Sequence, residues 1–229
     1  MKIALLWTGG KDSYSAYEKV LEDGHEIACL VTFTGNKPFL CHPLEGIQFQ
    51  ADALDLPHVK AKIEEPYMQG YMDVIRVLVN RYRIKGIATG DIAAVDDFHG
   101  TWIDDVCKGI GVEIIRPLWG INRKKHMDDL IASGAKILFT CVLKKWFDQS
   151  WLGRTIDNKC LVELQAYSEK YGIDPCGERG EYHTMVIDSP KFSKSIVVLW
   201  QEDGETETLR YMKIDGFSSK LKKRKLIDH

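Results

Sequence analysis

Along the first half of the chain, short apolar runs alternate with longer amphipathic stretches. Residues 2–7 (Lys-Ile-Ala-Leu-Leu-Trp), 27–33, 58–63, 86–90 and 112–116 are compact, β-branched-rich runs bounded by Gly, Pro or polar residues, a pattern that predicts strands. Between them, 13–23, 44–55, 68–84 and 98–110 carry helical spacing, with Met72, Ile75, Val79 and Tyr82 on one face. Strands separated by helices imply a parallel sheet covered on both sides. Right-handed crossovers then predict an α/β, doubly wound, parallel five-stranded domain over residues 1–120.

Beyond Leu118 the rhythm changes. A helix over 122–133, a strand over 136–143 and a helix over 157–171 lead to a polar, Gly-rich turn at 176–181. Runs at 183–188, 195–200 and 206–214 read as antiparallel strands. The expectation is a second, smaller α+β domain over 121–229, ending in a basic tail from Ser218 to Lys225. A terminal charge run of this kind is ordinarily a solvated end; the rival use is a flexible arm that speeds docking to a large protein.

Composition narrows the functional classes. The chain has 229 residues, 45% of them hydrophobic, and 31 basic against 33 acidic side chains, giving a net charge of −2. Such a balance provides no global field for polyanions, so direct nucleic-acid binding is not expected and any anion site must be built locally. Apolar runs such as Ile196 to Trp200 fall far short of the roughly 20 residues of a membrane-spanning helix, and the N-terminus lacks a signal-peptide layout. A cytoplasmic protein without membrane attachment is expected, and homo-oligomer formation is left open. The six cysteines form no C-x-x-C pair, which removes support for a zinc or thioredoxin-like site; most read as small buried hydrophobes. Cys41 and His42 fall in the loop after the second strand, where adjacent side chains point apart, and they read as loop residues. His99 reads as a lone polar histidine.

Candidate chemistry begins with Trp7-Thr8-Gly9-Gly10-Lys11-Asp12-Ser13, between the first strand and the first helix. Two glycines allow a tight turn and close backbone approach to a ligand, and the following helix adds unpaired N–H groups and the positive end of its dipole. The result is a phosphate cradle, although the string is neither a Walker loop nor G-x-G-x-x-G. Thr89-Gly90-Asp91-Ile92 ends the fourth strand, beside the switch between strands one and four where open parallel sheets bind ligands. There Gly90 leaves room for a nucleotide, and Asp91 reaches a ribose or a metal; a turn Asp is an equally good account. By the same rule adenine is expected near the backbone of Val31, Thr32 and Phe33.

The full string resembles the Ser-Gly-Gly-x-Asp-Ser loop of the N-type ATP pyrophosphatases, with Thr8 keeping the first hydroxyl. Cys176-Gly-Glu178-Arg179-Gly180-Glu181-Tyr182-His183-Thr184, the Asp188-Ser-Pro190 that follows, Pro117-Leu-Trp119 and Leu152-Gly153-Arg154 narrow that likeness. Together they resemble the diphthine–ammonia ligase family, whose second domain carries a Gly-Glu-Gly-Gly-Glu-Tyr signature. Arg179 stands where the family usually has Gly, and 95–102 departs from the Tyr-Gln-Arg type of sequence. The resemblance implies ATP-dependent amidation of the diphthine carboxylate of elongation factor 2 by ammonia, through an acyl-adenylate, with release of AMP and pyrophosphate.

That reaction assigns roles. A carboxylate is a poor electrophile and must be activated, so Gly9, Gly10, Lys11 and Ser13 would bind the phosphates, and Asp12 with Asp91 would hold Mg²⁺. Ammonium must lose a proton before it attacks; Glu178 and Glu181 would hold it and accept that proton, with His183 as relay. The carboxylates are equally suited to the trimethylammonium group of the substrate, beside Tyr182 and Trp119. Arg154 would grip a carboxylate or a phosphate. Transfer-RNA-modifying relatives share the loop, but their thiolating branches use paired cysteines and the tRNA binders a basic surface, both missing from this sequence. A nucleotide sensor without catalysis would leave 176–184 idle.

Overall fold

A computed structural model describes residues 1–36, 40–93 and 102–222, with the backbone alone at Trp102. Its first sheet is parallel, of order β3-β2-β1-β4-β5. The strands are β1 (Lys2–Leu6), β2 (Glu26–Thr34), β3 (His58–Lys62), β4 (Gly86–Ala88) and β5 (Glu113–Ile115). Between them lie α1 (Lys11–Glu22), α2 (Leu44–Leu54), α3 (Tyr67–Tyr82) and α4 (Trp102–Ile110). The order reverses at β1 and β4, as the alternating pattern predicts for a doubly wound domain. Side chains of β1 divide by parity: Ile3, Leu5 and Trp7 enter one core, while Ala4 joins Val31, Ile75, Leu78 and Val106 under α3 and α4.

The second half begins with α5 (Arg123–Ala132) and β6 (Lys136–Leu143). After a 3-10 turn at Gln149–Trp151 come α6 (Asn158–Tyr171), β7 (Tyr182–Asp188), β8 (Lys194–Glu205) and β9 (Leu209–Leu221). Its sheet, of order β7-β6-β9-β8, is antiparallel. The two halves share one apolar core, which runs from Ile3, Leu5, Trp7 and Tyr14 to Phe139, Val186, Phe192 and Met212. That continuity brings β7 against the first half.

Two expectations change. The last two strands run beyond 195–200 and 206–214, because β8 and β9 stay paired through polar residues. Charges on that ribbon meet each other: Arg210 Nε lies 2.8 Å from Glu205 Oε1, and Lys213 Nζ 3.4 Å from Glu202 Oε2. The tail also starts later than its composition suggests. Ser218 to Leu221 pair with β8, and Lys222 donates to the Ser189 carbonyl and sits 2.6 Å from Asp188 Oδ1. Residues 223–229 lie outside the described residues. Among the described residues no helix is long and apolar enough to cross a membrane.

Candidate active site

The loop between β1 and α1 is held from two sides. Gly9 has φ +77, and a Cβ there would lie 2.2 Å from Gln50 Oε1, so only glycine fits. Gln50 is fully buried on α2. It accepts from Trp7 Nε1 (2.9 Å) and donates through Nε2 to the carbonyls of Gly9 (2.8 Å) and Val186 (2.7 Å). From the other side, Val186 N donates to Gly9 O at 2.9 Å, and Lys11 N donates to Thr184 Oγ1 at 3.1 Å. Strand β7 of the second half is thus bonded directly to the phosphate-type loop. Thr8 is exposed at the loop's mouth, and Ser13 Oγ donates to Gly10 O at 2.9 Å, tightening the first turn of α1.

Two charges sit at this turn. Lys11 Nζ is 2.5 Å from Asp12 Oδ2, and His126 Nε2 of α5 is 2.9 Å from Asp12 Oδ1. Burial by itself would drive the Lys11 ammonium toward neutrality, but Asp12, Cys176 and Glu178 outweigh it and raise its pKa. Burial likewise opposes ionisation of Asp12, and Lys11 and His126 overcome it, leaving the carboxyl below its ordinary value. The pair is ionised at neutral pH.

Glu178 belongs to the same electrostatic group although it lies in the turn between α6 and β7. Burial, followed by the charge of Asp12, pushes its carboxyl up to about 7, against the opposing charge of Lys11. A carboxyl in that range exchanges a proton near neutrality, which is what an acid–base group needs. His183 Nδ1 lies 3.2 Å from His42 Nε2, with the rings edge to face at 4.9 Å. Burial, and then the charge of Lys11, lowers the pKa of His183, so its ring is neutral.

Other predicted site residues are committed elsewhere. Glu181 is buried; its Oε1 accepts from Asp174 N at 2.7 Å and its Oε2 from Arg179 N at 2.9 Å. Both oxygens therefore hold the 174–181 turn together. Replacing Glu181 by Gln turns an NH₂ toward a backbone N–H and should cost about 1–3 kcal/mol of stability. Thermal melts read this, and an unchanged midpoint would place the carboxylate outside the turn.

Tyr182 is 3% exposed, donates to Pro175 O at 2.7 Å and packs on Phe139 with centroids 4.8 Å apart. It lies under Lys11 Nζ, 5.7 Å from the ring centroid, and forms a wall behind the loop, not a substrate face. Arg154 forms a bidentate pair with Glu163 of α6 at 2.7 and 2.8 Å and stacks over Trp151, so two of its five donors serve the packing of the second half. Trp119 is 49% exposed and lies beneath the Arg116 guanidinium, 5.4 Å away, with no contact to Glu178 among those described.

At the end of β4, the space left by Gly90 belongs to protein. A Cβ there would come within 2.8 Å of Asp12 C and 2.9 Å of Ser13 N, so this glycine admits the backbone of the first α1 turn. Asp91 Oδ2 accepts from Thr89 Oγ1 at 2.6 Å and faces Arg116 Nε at 3.9 Å. Val31 and Thr32 are buried within β2; Val31 O accepts from Trp7 N, and Thr32 Oγ1 donates to Trp7 O at 2.6 Å. Pairing of β1 with β2 ends at Leu6↔Val31. Phe33 lies two residues on, with its main chain directed to the same side of the strand as that of Val31. His99 lies outside the described residues.

Gln50, His126, His42 and Thr184 emerge from the tertiary structure. Thr184 is the one with a sequence signal, as the last residue of the quoted 176–184 string. Gln50 and His126 become site residues through partners 43 and 114 positions away.

A doubly wound sheet with a Thr-Gly-Gly-Lys-Asp-Ser loop at the carboxyl end of its central strand defines a pyrophosphate-loop protein, a class that binds ATP. The chain belongs to the diphthamide synthase family: residues 1–114 match the diphthamide synthase N-terminal domain and residues 122–226 the diphthamide synthase C-terminal domain. It is 27% identical to a diphthine–ammonia ligase of Mus musculus, over 86% of this chain and 83% of that protein. The Homo sapiens protein of the same name is 26% identical over the same shares. One from Schizosaccharomyces pombe, 27% identical over 88% of this chain, is matched over 37% of its own length. Family membership makes the chain an ATP-using ligase.

Proposed function

We propose that this protein joins ammonia to the diphthine carboxylate of elongation factor 2, using ATP to form an acyl-adenylate and releasing AMP and pyrophosphate. The observation that carries the reading is the direct bonding of the two motifs, Lys11 N to Thr184 Oγ1 at 3.1 Å and Val186 N to Gly9 O at 2.9 Å, which sets the 176–184 string against the loop, with the Glu178 carboxyl pushed up to about 7 by burial and by Asp12. One place then holds a phosphate cradle, a fixed cation and a proton acceptor. ATP lies with its phosphates on residues 8–13, where the first turn of α1 and the Lys11 ammonium offset charge that develops on pyrophosphate as it leaves. Adenine lies along the main chain at Phe33. The acyl-adenylate forms when a carboxylate oxygen of diphthine attacks the α-phosphorus. Ammonium gives a proton to Glu178, ammonia attacks the acyl carbon and AMP departs.

The protein groups fit Mg²⁺ poorly as a site of their own. Both oxygens of Asp12 are bonded, to Lys11 and His126, Asp91 is bonded to Thr89, and no group of three metal-ligating side chains occurs among the described residues.

The deciding experiment incubates the protein with diphthine-bearing elongation factor 2, ATP and ammonium salt, and weighs the acceptor. Exchanging OH for NH₂ lowers the mass by about 1 Da, with equimolar AMP formed. An acceptor of unchanged mass would overturn the reading. Within the cradle, Gly10→Val should weaken ATP binding by about tenfold or more, because its side chain presses on Thr184 O, 3.2 Å from the Cβ position, and shifts the helix end that faces the phosphates. Calorimetric titration measures this, and wild-type affinity would move the cradle elsewhere.

A further inference from the structure

Helix α2 turns an apolar stripe toward the core, with Gly46, Ile47, Ala51 and Ala53 buried, and Gln50 occupies a place in it that the spacing would give to an apolar side chain. A fully buried amide is costly unless its polar atoms are met, and here both are. The partners also fix which way the amide points, because an indole N–H only donates and a main-chain carbonyl only accepts. Oε1 therefore faces Trp7 Nε1, and the Nε2 protons go to the carbonyls of Gly9 and Val186, one in each half of the chain.

The Gly9 carbonyl is consequently held by two donors, Gln50 Nε2 at 2.8 Å and Val186 N at 2.9 Å. The Gly9–Gly10 peptide is trans, so the Gly9 C=O and the Gly10 N–H point in opposite directions. Holding the oxygen against Gln50 and β7 turns the N–H away from both. That N–H has no hydrogen-bond partner among the described residues, although Gly10 is buried, whereas the next one, Lys11 N, is taken by Thr184 Oγ1. A buried main-chain N–H left without a protein acceptor is rare and is suited to an anionic ligand. A peptide between two glycines also rotates with little steric resistance, so its direction has to be imposed from outside.

We infer that Gln50 is a positioning residue: by holding the Gly9 carbonyl it stops the Gly9–Gly10 peptide from rotating and keeps the Gly10 N–H directed at the phosphates of ATP. Helix α2, strand β7 and the nucleotide then meet at one peptide unit. The inference rests on the phosphate cradle of the reading above and is independent of the acceptor.

The test is an HNCO spectrum of the full-length protein, made by cell-free synthesis with glycine labelled with ¹³C at the carbonyl and with ¹⁵N. Gly9-Gly10 is the sole pair of adjacent glycines in the sequence, so one cross-peak reports the Gly10 N–H and the Gly9 carbonyl together. ATP, added until calorimetry shows saturation, should move the Gly10 proton downfield, as a new bond to an anionic oxygen does, and slow its exchange with solvent. Gln50→Met keeps the length of the side chain and removes both donors; Gln50→Glu removes them and keeps the acceptor for Trp7. In each, the Gly9 carbonyl resonance should move in the free protein, the ATP-induced shift of the Gly10 proton should shrink, and ATP affinity should fall about tenfold or more, the scale of a hydrogen bond to a charged group.

A merely structural Gln50 would lower the melting temperature of the variants and leave ATP affinity and the shift at wild type, which overturns the inference. So does a wild-type cross-peak that stays in place while calorimetry records ATP binding, a result that needs no variant to fold. Absence of ATP binding to wild type would overturn the inference and the proposed reaction together. A moved cross-peak with no amide formed on the acceptor would overturn the reaction alone.

Discussion

Replacing Glu178 by Gln is expected to lower amide formation by about a hundredfold or more, the usual scale for loss of a positioned proton acceptor, while ATP affinity stays within about twofold. The side chain keeps its size and one acceptor oxygen and loses the charge. The pH profile supplies the sharper readout. In the folded protein the carboxyl titrates at about 7 because burial and Asp12 disfavour its charge. The wild-type rate should therefore rise through pH 7 to a plateau, and the Gln variant should lack that inflection. Stability moves the opposite way. A carboxyl whose pKa is raised on folding contributes stability that is present below its unfolded value, near 4.5, and lost as pH rises through about 7. The Gln variant should thus gain thermal stability over wild type at pH 8 and not at pH 4. A variant with wild-type rates at every pH would remove Glu178 from the chemistry, and a parallel loss of ATP affinity would place it on the nucleotide.

Gly90→Ala carries the second large effect, through backbone and not through chemistry. An added Cβ meets Asp12 C at 2.8 Å, Asp12 O at 2.9 Å and Ser13 N at 2.9 Å, and none of these atoms can swing aside as the end of a side chain would. The strand end and the first turn of α1 must separate, at roughly 1–3 kcal/mol by the scale of overpacking. A chain of this length loses about 2–4 °C of melting temperature per kcal/mol. Because the displaced turn carries Lys11, Asp12 and Ser13, ATP affinity should fall together with the melting temperature. Gly86 of the same strand is a useful comparison, since two of its three nearest atoms are methyl groups of Ile115 and Ile3, at 3.1 and 3.2 Å. Calorimetry and thermal melts of Gly90→Ala that match wild type would show that β4 and the first turn of α1 separate without cost.

The sequence alone determined the fold class and the location of the loop. Compact apolar runs between helices of 3.6 periodicity leave few topologies open, and the handedness of crossovers removes most of those. The string Thr8 to Ser13 and the string Cys176 to Thr184 are local patterns, and local patterns are what a sequence displays. Their meeting is not local: Lys11 N reaches Thr184 Oγ1 across 173 positions, and only the shared core of the two halves brings them together. For the same reason Glu178 and Glu181 look like one acidic pair in the sequence and do different things in the protein. A carboxylate's role depends on its partners; Glu181 is satisfied by two backbone N–H groups, while Glu178 is left beside Asp12 and Lys11. Arg154 and Tyr182 read as ligand-gripping side chains until Glu163 and Pro175 are seen to occupy them. His42 shows the converse. Its neighbours in the chain mark it only as a loop residue, and its contact with His183 and its place over Gly10 arise because β7 lies along the loop.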